Sequence, residues 1–170
     1  EDEEIAVLYK PAHLLCHSDR TGDPNLIDAY IARLTAEGRY DPGAEQRFAP
    51  ALCNRLDRGT EGLVLAARTY AALRDMNEII RNDWLKKEYQ IRAHLAYLGR
   101  PVLGDIKYGN RKLNERTGLK TQALCAQRLT FGRIPESNSL HRLSGRCIKL
   151  SDPEILRVFE RVSTPPDEKA

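Results

Sequence analysis

Asn54-Arg55-Leu56-Asp57-Arg58-Gly59-Thr60-Glu61-Gly62-Leu63-Val64-Leu65-Ala66-Ala67 runs from a dense cluster of charges straight into an unbroken apolar stretch. The apolar part, residues 62–67, predicts a strand covered on both faces. If residues 54–57 are extended, Arg55 and Asp57 point to one side and Leu56 to the other, into the core. Gly59 and Gly62 supply a turn between the two parts. A carboxylate held at a strand end between two guanidinium groups favours its ionised form, so Asp57 is expected to be charged at neutral pH. On spacing alone, an ordinary surface ion-pair ladder of little energetic value accounts for the cluster as well or better.

Outward from this stretch, residues 5–9 read as a strand stopped by Lys10-Pro11, and residues 14–17 as a second, short strand. A helix follows, with Asp23 as cap, Pro24 at the first helical position, and Leu26, Ile27, Tyr30, Ile31 and Leu34 at helical spacing, ending near Gly38. Residues 40–46 form a loop. Thr69 caps a second helix with Leu73, Met76, Ile79 and Ile80 on one stripe. Trp84 to Tyr89 reads as strand and Gln90 to Leu98 as a short helix closed by Gly99. Pro101–Leu103 and Gln122–Phe131 look extended. Asp152-Pro153 opens a last helix carrying Ile155, Leu156, Phe159 and Val162, and the tail from Ser163 is expected to fray. Strands and helices intermix without regular alternation, which predicts an α+β fold around a central mixed, largely antiparallel sheet with flanking helices and a cleft.

The chain's 170 residues suit one domain, and 41% apolar residues suffice for its core. No apolar run reaches membrane-spanning or signal-peptide length, and the start, Glu1-Asp2-Glu3-Glu4, has the wrong sign for secretion. Cys16, Cys53, Cys125 and Cys147 are dispersed, without a Cys-x-x-Cys pair, so neither a disulfide framework nor a zinc knuckle is expected, and the cytoplasm is the simplest compartment. Lys and Arg number 27 against 24 Asp and Glu. That balance fits a mixed, solvated surface, although the arginines recurring from Arg55 to Arg100 suit a polyanion.

Other candidate chemistry is weaker. His13 and His17, spaced i, i+4, lie in a stretch read as extended, where that spacing brings no convergence on a metal. His94 reads as a packing histidine. Residues 99–105 lack the Lys-Ser/Thr that follows a phosphate-cradling loop. Neither Ser18 nor Ser144 has a base at recognisable spacing. Lys86-Lys87-Glu88-Tyr89 is a basic strand ending in an aromatic, which suits base stacking or an ordinary sheet edge.

Taken together and in order, the pieces resemble the RluA-type family of pseudouridine synthases. They are Tyr9-Lys10-Pro11, Asn54 to Leu63, Lys87-Glu88-Tyr89, Gln90-Ile91-Arg92-Ala93-His94-Leu95, Gly104-Asp105 with Lys107-Tyr108-Gly109, and Gln122-Ala123-Leu124-Cys125-Ala126. The resemblance spans about Ile5 to Phe159. It implies an isomerase that turns uridine into its carbon-linked glycoside in structured RNA. Asp57 would be the essential carboxylate, Arg92 its ion-pair partner, and Tyr89 the ring lying against the target uracil. Arg55 would fill the gap left by the everted uridine, and Arg58 and Lys87 would touch backbone phosphates. The reaction is redox-neutral, so the resemblance implies no cofactor and no metal. Family habit favours ribosomal RNA over transfer RNA, with a monomer and no membrane as the accompanying expectations. The competing reading is a catalytically inactive RNA-binding module of the same fold, and a small-molecule hydrolase using the Asp is a third.

Three departures from the family pattern stand out. Asn54 replaces a frequent His. Glu61 takes the place of a small Ser, putting negative charge near the RNA path unless its side chain turns away. Tyr89 abuts Gln90 where relatives carry several strands, so a segment is expected to be missing or deleted between 89 and 90. The catalytic domain is accordingly read as 1–162, with 163–170 as a flexible tail.

Overall fold

The computed structural model describes residues 1–44, 48–86, 95–119 and 121–157. Its centre is β3 (Glu61–Ala67), every residue of which is buried. β1 (Ile5–Lys10) pairs with it antiparallel along its whole length, from Ile5 opposite Ala67 to Lys10 opposite Gly62. The other edge of β3 is shared. β2 (Ala51–Leu52) lies antiparallel against Ala66 and Ala67, and β5 (Cys125–Ala126) lies parallel against Glu61 and Gly62. Gly62 is flanked on both sides, and a Cβ there would stand 2.6 Å from the Ala126 backbone at a φ of +134°. Only glycine fits.

Alternation along β3 sorts its side chains between two cores. Leu63, Leu65 and Ala67 join Ile5 against α2 (Tyr70–Arg81), whose Ala72, Met76 and Ile79 are buried. The same core takes Leu85, Leu129 and Phe131 from a second, antiparallel sheet: β4 (Leu85–Lys86), β6 (Arg128–Phe131) and β7 (Cys147–Lys149), in the order β4-β6-β7. Val64 and Ala66 face the opposite way, with Ala6 and Leu52, onto Leu26, Ile27, Tyr30 and Leu34 of α1 (Leu26–Ala36). Burying a Leu or Ile side chain is worth roughly 1.5–3 kcal/mol, so the doubly covered strand anchors the fold. The α+β layout with flanking helices is as expected; the described strands divide between a four-stranded mixed sheet and a three-stranded antiparallel one.

Several local expectations change. The α1 cap is Asn25, whose side chain accepts from Asp28 N at 3.0 Å, not Asp23. The start is pinned there because Leu26 N donates to Leu15 O (2.8 Å) and Ile27 N to Cys16 O (3.2 Å). The 14–17 segment makes a single bridge, Leu15 to Asn25, and no strand. Residues 101–103 form no ladder, although Leu103 O accepts from Ala123 N at 2.7 Å. Thr69 caps α2 as expected, through Ala72 N at 3.1 Å. The periodicity gave no sign of α3 (Arg111–Thr117), which buries no residue, nor of β7. Among the described residues, no helix is long and apolar enough to cross a membrane.

Candidate functional site

The arch from Arg55 to Thr60 begins and ends on β3. Cys53 N donates to Leu65 O (2.7 Å), and the buried Asn54 side chain accepts from Leu65 N (2.7 Å), completing that edge where β2 has stopped. The chain then leaves the sheet, and Thr60 N donates to Asp57 O (3.0 Å) as it turns back into β3. Along the arch Arg55, Asp57 and Arg58 are exposed, while Leu56 packs on the α1 core. The expected alternation therefore holds, although residues 54–57 form no strand.

Polar contacts fix the backbone on either side of Asp57. Leu56 N donates to Cys16 Sγ (3.3 Å), and the same thiol donates to Leu56 O (3.4 Å). Arg58 O accepts from His13 N (2.8 Å) and from the Lys10 ammonium (3.2 Å). Lys10 is fully buried, and its Nζ donates also to Pro11 O (3.0 Å) and Leu14 O (2.8 Å). Burial pushes its pKa below the ordinary lysine value; the nearby Cys16, Asp57 and Glu61 oppose that shift. A buried ammonium with three carbonyl acceptors is satisfied rather than stranded. It ties the end of β1 and the 11–14 turn to the Arg58 carbonyl, one residue past Asp57. His13 takes a left-handed φ of +71° in this turn, and its backbone N–H is the group that reaches Arg58 O.

On the far side, the buried Gln122 donates from Nε2 to Thr60 Oγ1 (2.7 Å). Gly59 lies against Thr121 and Gln122 so closely that an added Cβ would meet them at 3.3–3.4 Å. The arch thus presents an exposed carboxylate on a backbone braced from Cys16, Lys10, His13 and Gln122. Such bracing holds a reactive group in place without a rearrangement cost.

The two arginines of the arch have different neighbours. The Arg58 guanidinium pairs with Asp23 at 2.8 Å. Arg55 is close enough to His17 for its charge to add to burial in lowering that imidazole's pKa. Lys87, Tyr89, Arg92 and His94, and with them the expected bracing of Asp57 by Arg92 and roofing by Tyr89, lie outside the described residues, as does the 89–90 junction. Glu61 is turned away from the exposed face of the arch. Its buried carboxylate accepts from Tyr9 Oη (3.1 Å) and from Ile155 N (2.9 Å), docking the 154–157 helical turn beside β3. Lys10 is the site residue that the sequence reading missed. Its signals were the Lys-Pro pair ending a strand and its place in the Tyr9-Lys10-Pro11 piece of the family pattern, and a lysine at a strand end ordinarily reads as exposed.

A model of the family described as RNA pseudouridylate synthase matches residues 4–140. The ribosomal large subunit pseudouridine synthase C of Escherichia coli K12 is 31% identical over 186 residues, taking in 96% of this chain and 54% of that protein. An uncharacterized RNA pseudouridine synthase of Mycoplasma genitalium is 30% identical over 90 residues, covering 53% of this chain and 28% of the relative. The chain thus spans between about a quarter and a half of these curated relatives. The solved human RNA pseudouridylate synthase domain containing 4 shares the fold, with a TM-score of 0.68, 14% identity, and coverage of 98% of this chain and 93% of that one.

Proposed function

The chain belongs to the RNA pseudouridylate synthase family, and on that premise we propose that it isomerises uridine to pseudouridine in structured RNA, with Asp57 as the reacting carboxylate. In this reaction the N1–C1′ bond of uridine breaks and a C5–C1′ bond forms. The proton leaves C5 and N1 gains one, so no electron acceptor is consumed. The observation that carries the reading is the arch: the one carboxylate on it that faces solvent stands on a backbone fixed on both sides. A binding surface alone has no need of such fixation.

Around Asp57 we assign Arg92 as the ion-pair partner that sets its rotamer and Tyr89 as the ring stacked on the uracil. Arg55 enters the space that the everted nucleotide leaves, and Arg58 and Lys87 contact phosphates. The exposure of Arg55 and Arg58 supports their part in this. Ribosomal RNA is the favoured substrate ahead of transfer RNA, supported by the name of the Escherichia coli relative. The reading takes residues 1–162 as the catalytic domain of a cytoplasmic monomer that needs no membrane, with 163–170 as a tail. It also keeps a missing or deleted segment between 89 and 90.

The test is release of tritium from RNA labelled at C5 of uridine. Wild-type protein should release it. Asp57→Asn should abolish release, at least a thousand-fold or about 4 kcal/mol in barrier, while retaining RNA affinity. Binding without release by the wild type, on ribosomal and transfer RNA alike, would leave the inactive binding module as the reading.

A further inference from the structure

Beside the arch lies a segment that the reaction as described does not use. Gly104, at φ +73°, sits against Thr121, where an added Cβ would stand 1.9 Å from the Thr121 carbonyl oxygen. Thr121 in turn lies beside Gly59, two residues after Asp57, where an added Cβ would meet it at 3.4 Å. The turn 105–109 therefore begins one residue from a direct line of contact with the arch.

This turn is rigid for reasons of its own. Asp105 is fully buried, and its Oδ1 accepts from Lys107 N (2.9 Å) and Tyr108 N (3.0 Å). Asn114 of α3 donates to Asp105 O (2.9 Å) and accepts from Gly104 N (2.9 Å). What this frame displays is unusual for a solvated turn. Ile106 is 84% exposed, Tyr108 40%, and the Lys107 ammonium lies 4.9 Å from the centre of the Tyr108 ring. The surroundings are basic: residues 100–116 carry five Lys or Arg against two acids, of which Asp105 is buried. Lys112 and Arg116, four residues apart on α3, are exposed on the side away from Asn114.

We propose that Ile106, Lys107 and Tyr108 form a preformed platform for unpaired nucleotides flanking the target uridine, a base lying on Tyr108 and Ile106 while Lys107 meets the adjoining phosphate. This rests on the RNA-modifying reading of Asp57. A base needs an exposed aromatic face, and a phosphate needs a cation beside it. A turn already fixed by Asp105 and Asn114 adds little ordering cost on binding. A surface evolved only for solubility would have no use for two exposed apolar side chains flanking a lysine. The excess of cations selects RNA over an apolar protein partner.

The experiment is anisotropy titration of a labelled RNA hairpin with uridine in its loop, over a salt series, alongside tritium release. Tyr108→Ala should weaken binding about ten-fold or more, and Tyr108→Phe should retain the wild-type affinity. Lys107→Gln should lower the slope of log affinity against log salt by about 0.7–0.9. Lys149→Gln, the same charge loss on β7, should change neither. Wild-type affinity and slope in both Tyr108→Ala and Lys107→Gln would overturn the platform, while the Asp57 reading stands if release continues. If Tyr108→Ala does not fold, Lys107→Gln decides alone. Unchanged RNA binding with altered sedimentation would make the turn a protein contact instead. A wild-type chain that binds RNA without releasing tritium fails the Asp57 reading, and these variants still decide the platform. No RNA binding by the wild type overturns both.

Discussion

β3 buries all seven of its residues, whereas α3, also seven residues long, buries none. The two elements are fixed by different forces. β3 is held by apolar contact on both faces, against α2 on one side and α1 on the other. The segment 102–119 is held by a buried carboxylate, an asparagine with two backbone partners, and glycines that let chains touch. Apolar contact is non-directional and tolerates small shifts. Hydrogen bonds to backbone amides fix position but lend little net stability, about 1 kcal/mol each. A site built between such regions has a stable floor and an accurately placed rim.

If that division is right, truncation on β3 should unfold the molecule, and truncation in the rim should not. Leu65→Ala removes a fully buried side chain from the α2 core, and should cost about 3 kcal/mol in urea unfolding. A loss below about 1 kcal/mol would mean that the floor is not where the stability lies. Lys10→Met comes next. It leaves the carbonyls of Pro11 and Leu14 without their ammonium donor, while Arg58 O keeps His13 N. Unmet carbonyls cost about 1–3 kcal/mol each, offset in part because the ammonium's own burial penalty goes too, so about 2 kcal/mol is expected. Tritium release should fall along with stability, as the peptide after Arg58, one residue past Asp57, loosens. Intact activity in a destabilised Lys10→Met would show that the ammonium serves only the fold.

Asp105→Ala should be milder still. The amides of Lys107 and Tyr108 belong to exposed residues and can turn to water. The expected result is a loss of about 1 kcal/mol in global stability, with faster hydrogen exchange confined to residues 104–109. A cooperative loss as large as that of Leu65→Ala would erase the distinction between floor and rim.

The same contrast governs what the sequence disclosed. The two-faced strand was legible because six apolar residues in a row, bounded by charges, suit a buried strand and little else. α2 was legible because a cap and a 3.6-residue stripe coincide. The outward pair Arg55 and Asp57, with Leu56 inward, followed from strand alternation near an apolar run. α3 left no trace because it packs through Asn114 rather than through an apolar face. Lys10 was hidden because nothing local tells a buried lysine from an exposed one; its three carbonyls come from the 11–14 turn and from a residue 48 positions away. The cap moved from Asp23 to Asn25 for the same reason, since the long-range bonds of Leu26 and Ile27 decide where the helix starts. Local chemistry was readable, and polar contacts between distant segments were not.

The smallest effect concerns the polar seam beneath β3. Burial, with the Glu61 carboxylate adding to it, pushes the Cys125 thiol up to about 12, and the same two causes raise Tyr9 to about 12. Both groups therefore stay protonated in the fold above the pH at which they ionise in an unfolded chain, 9.0 for the thiol and 10.0 for the phenol. Their contribution to stability is whole below those values and drains away as pH rises toward about 12. Tyr9 is 44% exposed, so solvent screens its share and the thiol should dominate. Iodoacetamide at pH 9 should accordingly alkylate the exposed Cys147 well before Cys125, since only thiolate reacts. Glu61→Gln removes the carboxylate's part of the shift, so Cys125 should react several-fold faster and the alkaline decline in Tm should become shallower. Equal rates at Cys125 in both proteins would mean that burial alone sets its proton affinity, and that Glu61 serves only to hold Tyr9 and dock Ile155.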